Sequence, residues 1–160
     1  EECGQGVQVG LGGRIDFTMI YLATARSRSV VSLQLDVGSR VSLARTAMGR
    51  AYVAGCPEDE RAAILDSIHQ HFPAQEAGRR EGDILRAVDQ LESQGFCTNY
   101  GDWLPGVNSV GVPFRPGNAT SPQLAFSIGG PAIHVSPDQL QSDFGPRLVE
   151  LVETLQQGVI

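Results

Sequence analysis

Residues Val107 to Phe114 divide by parity, with Asn108, Val110, Val112 and Phe114 on one side and Val107, Ser109, Gly111 and Pro113 on the other. Side chains alternate across a β-strand, so this strand has one face suited to an apolar core and a second face of small groups carrying a hydroxyl. Leu124 to Ile128 repeats the division: Leu124, Phe126 and Ile128 oppose Ala125 and Ser127, and Gly129 continues the small side. Small residues side by side on a sheet leave volume, which is filled either by a closely packed helix or by a ligand. Hydroxyls in that volume can orient a carboxylate or a carbonyl.

The order of periodicities around these strands predicts the fold class. A first short strand is expected over Gly6 to Leu11 and a second over Ile15 to Ala23, with Gly10, Gly12 and Gly13 as the turn between them. A third, half-buried strand is expected over Val31 to Val37, beyond the polar turn Arg26-Ser27-Arg28-Ser29. Ala44 to Ala54 reads as a helix. Pro57 with Glu58, Asp59 and Glu60 starts another, because Pro suits a first helical position and acids suit the N-terminal dipole end. After a loop around Pro73 to Gly78, Ile84, Leu85, Val88 and Leu91 mark a third helix that Gly95 closes. Strands resume at Phe96 to Asn99, Val107 to Phe114 and Leu124 to Ile128. Ser136-Pro137-Asp138-Gln139 is a capping box opening a final helix with Leu148, Leu151, Val152 and Leu155 inward, kinked or divided at Gly145-Pro146. Strands, helices, strands and a helix make an α+β domain with a mostly antiparallel sheet, and 160 residues suit one such domain, 1–160.

Charge and composition exclude several functions. Twelve basic residues, all Arg and none clustered, against eighteen acids leave a net charge of −6, so the surface repels phosphate backbones on average. No run approaches the roughly 20 apolar residues of a membrane span, and Glu1-Glu2-Cys3 is unlike a signal peptide, so an intracellular, soluble protein without membrane contact is expected. The three cysteines, Cys3, Cys56 and Cys97, lie far apart without C-x-x-C spacing, which indicates reduced thiols and neither a disulfide framework nor a zinc site. His69 and His71 are two apart on a helix and point to different sides of it, so they cannot share a metal. His134 reads as a loop residue.

The glycines of Gly4 to Gly13 lack the P-loop pattern and precede a strand, so no nucleotide site is expected, nor any other cofactor. Cys97 and Ser109 are the candidate nucleophiles, but neither has an identifiable base, and Cys97 on a strand equally reads as a buried structural thiol. Asp102-Trp103 stands either at a pocket mouth or as a cap on the edge of the core.

Three stretches together resemble the C-terminal effector-binding domain of IclR-family transcriptional regulators. The first is Ser42-Leu-Ala-Arg-Thr-Ala-Met-Gly-Arg-Ala51 with Ala54-Gly-Cys-Pro-Glu-Asp-Glu-Arg61; the second is Gly95-Phe-Cys-Thr-Asn99 with Leu104-Pro-Gly-Val107 and Ser109-Val-Gly-Val-Pro113; the third is Phe126-Ser-Ile-Gly-Gly-Pro131 with Val135-Ser-Pro137. Their order and spacing agree over about residues 5 to 156. The resemblance implies a GAF-like or profilin-like sheet of about six strands with helices on both sides, in a cytoplasmic bacterial regulator. It implies a small-molecule effector, often an organic or aromatic acid, bound inside this domain, which also mediates assembly into a homodimer or homotetramer.

Carried over by position, the resemblance implies an apolar wall of Leu33, Val41 and Val107, a helix N-terminus at Ala47, Met48 and Gly49, and a polar end at Asn99, Ser109 and Ser127. Where relatives carry an acid at Asn99 and a hydroxyl near Gly129, this chain has an amide and a glycine, which implies a neutral, roomier site. DNA would be read only through an N-terminal winged helix-turn-helix absent from this chain. The expectation is a sensing domain without catalysis. Its alternatives are a small enzyme using Cys97 or Ser109 and a purely structural dimerisation domain with a closed core.

Overall fold

The computed structural model describes residues 6–29 and 32–158. Two antiparallel meanders join along their middle strands. β1 (Gln8–Ile15), β2 (Thr18–Arg26) and β3 (Arg40–Ser42) form one; β4 (Cys97–Tyr100), β5 (Val107–Phe114) and β6 (Leu124–Pro131) form the other. β1 pairs with β6, giving a six-stranded antiparallel sheet in the order β3-β2-β1-β6-β5-β4. Between the meanders run α1 (Ala47–Gly55), α2 (Glu58–His71) and α3 (Ala74–Gln94); after them come a turn of helix, α4 (Pro137–Gln139), a π-helical turn over Leu140–Phe144, and α5 (Gly145–Gln156). The α+β class with an antiparallel sheet is as the sequence predicts.

Helices cover both faces of the sheet. The face bearing Val110, Val112, Phe114 and Ile128 meets Leu140, Phe144, Leu148 and Val152 in one buried cluster. On the opposite face Met19, Tyr21, Ala125 and Cys97 share a cluster with Met48, Ala51, Ile64, Ile68 and Ile84. The small-residue sides of β5 and β6 therefore look toward α1. A Cβ on Gly111 would stand 2.3 Å from the Ala47 carbonyl oxygen, so α1 lies directly on that strand.

Three local expectations are corrected. Gly10, Gly12 and Gly13 lie within β1, and the turn comes at Asp16-Phe17, between the paired Ile15 and Thr18. These glycines make room for side chains instead of bending the chain: a Cβ on Gly10 would be 2.3 Å from the Tyr21 ring, and one on Gly12 2.4 Å from Met48 Sδ. The strand expected over Val31–Val37 does not form among its described residues, 32–37. Its alternation holds only for Leu33 and Leu35, which are partly buried, while Val37 is 65% exposed; the ladder beside β2 is formed by β3 along Thr18–Ile20, and by Gly38 and Ser39, which exchange hydrogen bonds with Tyr21. Val31 lies outside the described residues, as does Cys3.

The loop expected around Pro73–Gly78 is the first turn of α3, with Pro73 as its N-cap residue. The end of α3 is as read, Gly95 taking a left-handed φ of 86°. The Ser136–Gln139 capping box is present, and the helix divides at Gly145, next to Pro146, through the π turn.

Candidate functional site

The sheet register sets polar residues in rows under the start of α1. Gln8 pairs with Gly129, Gly129 with Ser109, and Ser109 with Asn99, a row running across β1, β6, β5 and β4. The next row is Gly10, Ser127, Gly111 and Cys97. Toward β4 the small residues of these rows receive α1. Toward β1 and β2 they leave a cavity.

That cavity is lined by Gln8, Tyr21, Leu33, Leu35, Val41, Thr46, Ala47, Met48, Trp103, Val107, Ser109, Ser127 and Gly129. Close helix packing thus accounts for the small residues at Gly111, while beside Ser109, Ser127 and Gly129 some space stays open. The open space is about 30 Å³, room for about two waters. Leu33 and Leu35 wall it from a segment without ladder hydrogen bonds of its own, Met48 enters from α1, and Trp103 enters from the β4–β5 loop.

α1 begins at this wall. The Thr46 hydroxyl accepts from Gly49 N at 3.1 Å and donates to the Ser42 carbonyl at 2.7 Å, fixing the helix start. Ala47 and Met48 line the cavity in the first turn of α1, where a helix has no acceptors for its N–H groups four residues back. The Tyr21 phenol is raised above its ordinary pKa of 10.0 by burial, an effect its hydrogen bond with Ser127 partly offsets.

Leu33, Val41, Ala47, Met48, Val107, Ser109, Ser127 and Gly129 are brought to the cavity; Gly49 and Asn99 are not among its lining. Gly49 lies against the chain entering the helix, where a Cβ would stand 1.9 Å from the Leu43 carbonyl oxygen. Asn99 donates to the Arg45 carbonyl at 2.5 Å and accepts from Asp102 N at 3.0 Å, so its amide holds the β4–β5 loop to the start of α1. Gln8, Tyr21, Leu35 and Thr46 escaped the sequence reading. Gln8 left one signal, a polar residue sharing the parity of Gly10 and Gly12.

Other candidates have structural tasks. Cys97 is fully buried, its thiol pushed up to about 12 by burial and donating to the Ala47 carbonyl at 3.4 Å. Burial without a neighbouring base among the described residues keeps this thiol protonated at neutral pH, which argues against a Cys97 nucleophile. His69 reaches Glu81 at 2.5 Å while His71 stacks on Phe17 at 4.5 Å, and no metal-binding group of three His, Cys, Asp or Glu occurs among the described residues. Two larger surface depressions, of about 340 and 540 Å³, share Arg50, Asp83, Arg86 and Asp102, charges that are largely spent on one another.

The antiparallel sheet thus lies between two helical layers, with a small cavity of mixed polarity under the N-terminus of α1. The family model for the bacterial transcriptional regulator IclR C-terminal domain matches residues 3–156, and the chain belongs to that family. An IclR family transcriptional regulator from Brucella abortus superposes with a TM-score of 0.87 at 32% identity, over 97% of this chain and 58% of that one. The HTH-type transcriptional regulator TsaQ1/TsaQ2 of Comamonas testosteroni is 26% identical over 153 residues, 94% of this chain and 54% of its own length. The chain thus spans a little over half the length of these relatives. The inducer binding domain of the Acinetobacter transcription factor PobR, solved as a double mutant with 3-hydroxybenzoic acid, shares the fold at a TM-score of 0.73 and 14% identity, over 96% of this chain and 89% of that one. Among the described residues no helix is long and apolar enough to cross a membrane.

Proposed function

We propose that this domain senses a small organic acid in the cavity beneath α1 and passes its occupancy to a DNA-reading part of the full-length regulator. The observation that carries this reading is convergence: the Ser109 and Ser127 hydroxyls, the Gln8 amide and the first turn of α1 share one cavity with Leu33, Val41, Met48, Val107 and Trp103. Few polar groups among apolar walls is the usual make-up of a small-molecule site. The family, and the 3-hydroxybenzoic acid held by the double mutant of the PobR inducer binding domain, support it.

An acid of six or seven carbons exceeds the present 30 Å³, so binding displaces Met48 or the Leu33–Leu35 segment. Met is the most adaptable apolar side chain, and that segment has no ladder to break. Displacement of α1 or of this segment gives the ligand different affinities for two arrangements, which is the requirement for it to shift an equilibrium in a homodimer or homotetramer. The extent of the shift is bounded by that difference. DNA contact belongs to an N-terminal helix-turn-helix portion, since this acidic chain repels phosphate, and the whole regulator acts in the cytoplasm.

A thermal-shift screen of small organic acids on the domain and on Ser127→Leu tests the reading. Stabilising acids should lose their effect in the variant, whose side chain fills the cavity. Stabilisation that survives Ser127→Leu would place the ligand elsewhere.

A further inference from the structure

Gln8 is 3% exposed at the start of β1 and lines the cavity. Its side-chain nitrogen donates to Thr24 Oγ1 at 2.6 Å and to the Leu35 carbonyl. These two bonds fix which way round the amide lies. The Leu35 carbonyl can only accept, so exchanging nitrogen and oxygen would set two acceptors against each other. Thr24 donates its own proton to the Val9 carbonyl at 3.2 Å, which leaves its oxygen to accept from Gln8. Gln8 Oε1 is therefore directed away from both partners. It is buried and accepts no hydrogen bond from any described residue.

An amide oxygen taken from water without a donor is costly, and native structures rarely leave one so. Resting on the cavity being the effector site, we propose that Gln8 Oε1 accepts a hydrogen bond from a hydroxyl or N–H of the bound effector, so that the site selects acids bearing such a donor. A carboxylate cannot serve here, because its oxygens only accept; the acid end must lie away from Gln8. The selectivity has a physical basis: a ligand lacking the donor leaves the amide oxygen buried and still unpaired.

Titration calorimetry with benzoate, its three monohydroxy derivatives and its three amino derivatives tests this on the domain as it stands. At least one hydroxy or amino acid should bind ten times or more tightly than benzoate. In Gln8→Met, which keeps the length and removes the acceptor, that preference, read as the ratio of derivative to benzoate affinity in the same variant, should shrink to about twofold. The wild-type preference is readable even if Gln8→Met fails to fold. No derivative binding better than benzoate, or a preference unchanged in Gln8→Met, overturns the proposal, as does a crystal structure of the complex in which a water, and not the ligand, donates to Gln8 Oε1. Ser127→Leu separates the two readings. If it abolishes benzoate and derivative binding alike while Gln8→Met changes nothing, the cavity stands and the Gln8 role falls; if it spares binding, the cavity falls as well.

Discussion

Arg50 donates to the Asp102 carboxylate at 3.0 Å, one residue from the Trp103 ring in the cavity wall. The same guanidinium donates to Asp83 on α3 at 3.0 Å and to the Ala44 carbonyl at 2.8 Å. Only 5% of the Arg50 side chain is exposed, so one buried cation ties α1 and α3 to the loop that carries Trp103. Removing it leaves the partly buried Asp83 carboxylate to Arg86 alone and takes a donor from the Ala44 carbonyl. Arg50→Ala should lower stability by about 3 kcal/mol in urea unfolding, and a loss under about 1 kcal/mol would contradict this role. Asp102 is half exposed, so Asp102→Asn should cost about 1 kcal/mol or less. Its effect should appear in a red-shifted Trp103 emission.

Gly111 sits where α1 lies directly on the sheet. A Cβ there meets backbone, the Ala47 carbonyl, and the Ala51 Cβ at 3.0 Å, none of which can rotate aside. Gly111→Ala should therefore destabilise by about 1–3 kcal/mol through overpacking. Gly78→Ala, with nothing within 4 Å on an exposed stretch of α3, should be neutral or stabilising by helix propensity. Equal melting temperatures for the two variants would contradict the close approach of α1.

Burial pushes both the Cys56 and the Cys97 thiols up to about 12 from an ordinary 9.0. The fold favours the protonated form, so the unfolded chain ionises first. The stabilisation is complete below about pH 9 and is lost as the pH rises through 9 toward 12. Buried Tyr21, also raised, acts in the same direction. Unfolding free energy should be level near neutrality and fall above pH 9, with a shallower fall in Cys97→Ala. An unchanged slope in that variant would contradict the assignment.

Thiol labelling gives an independent check. In a Cys3→Ser background at pH 7.5, Cys56 and Cys97 should react with a disulfide reagent only as fast as the protein opens, since both are buried and protonated. Immediate labelling of Cys97 would revive its candidacy as a nucleophile.

What was legible in the sequence was what short-range periodicity encodes. β5 has the predicted bounds because its alternation from Val107 to Phe114 is unbroken, and the small parity containing Ser109 and Ser127 pointed to the sheet face that holds the cavity. The errors came where tertiary contacts override local signals. Gly10 and Gly12 look like a turn until Tyr21 and Met48 are known to lie over them. Leu33 and Leu35 alternate like a strand, yet line the cavity without joining the sheet, whose edge beside Thr18–Ile20 is taken by β3. Gln8 and Trp103 lie on opposite halves of the chain, and only the β1–β6 and β5–β6 registers bring them to one cavity, information that no window of sequence contains.

Trp103 is the chain's single tryptophan and lines the cavity beside Leu33 and Met48, so its fluorescence reports on that space directly. Titrating the domain with small hydroxy acids should give a saturable change in Trp103 emission, at a midpoint matching the calorimetric affinity and absent in Ser127→Leu. Calorimetric binding that leaves Trp103 emission unchanged, or an emission change that persists undiminished in Ser127→Leu, would contradict the cavity as the effector site.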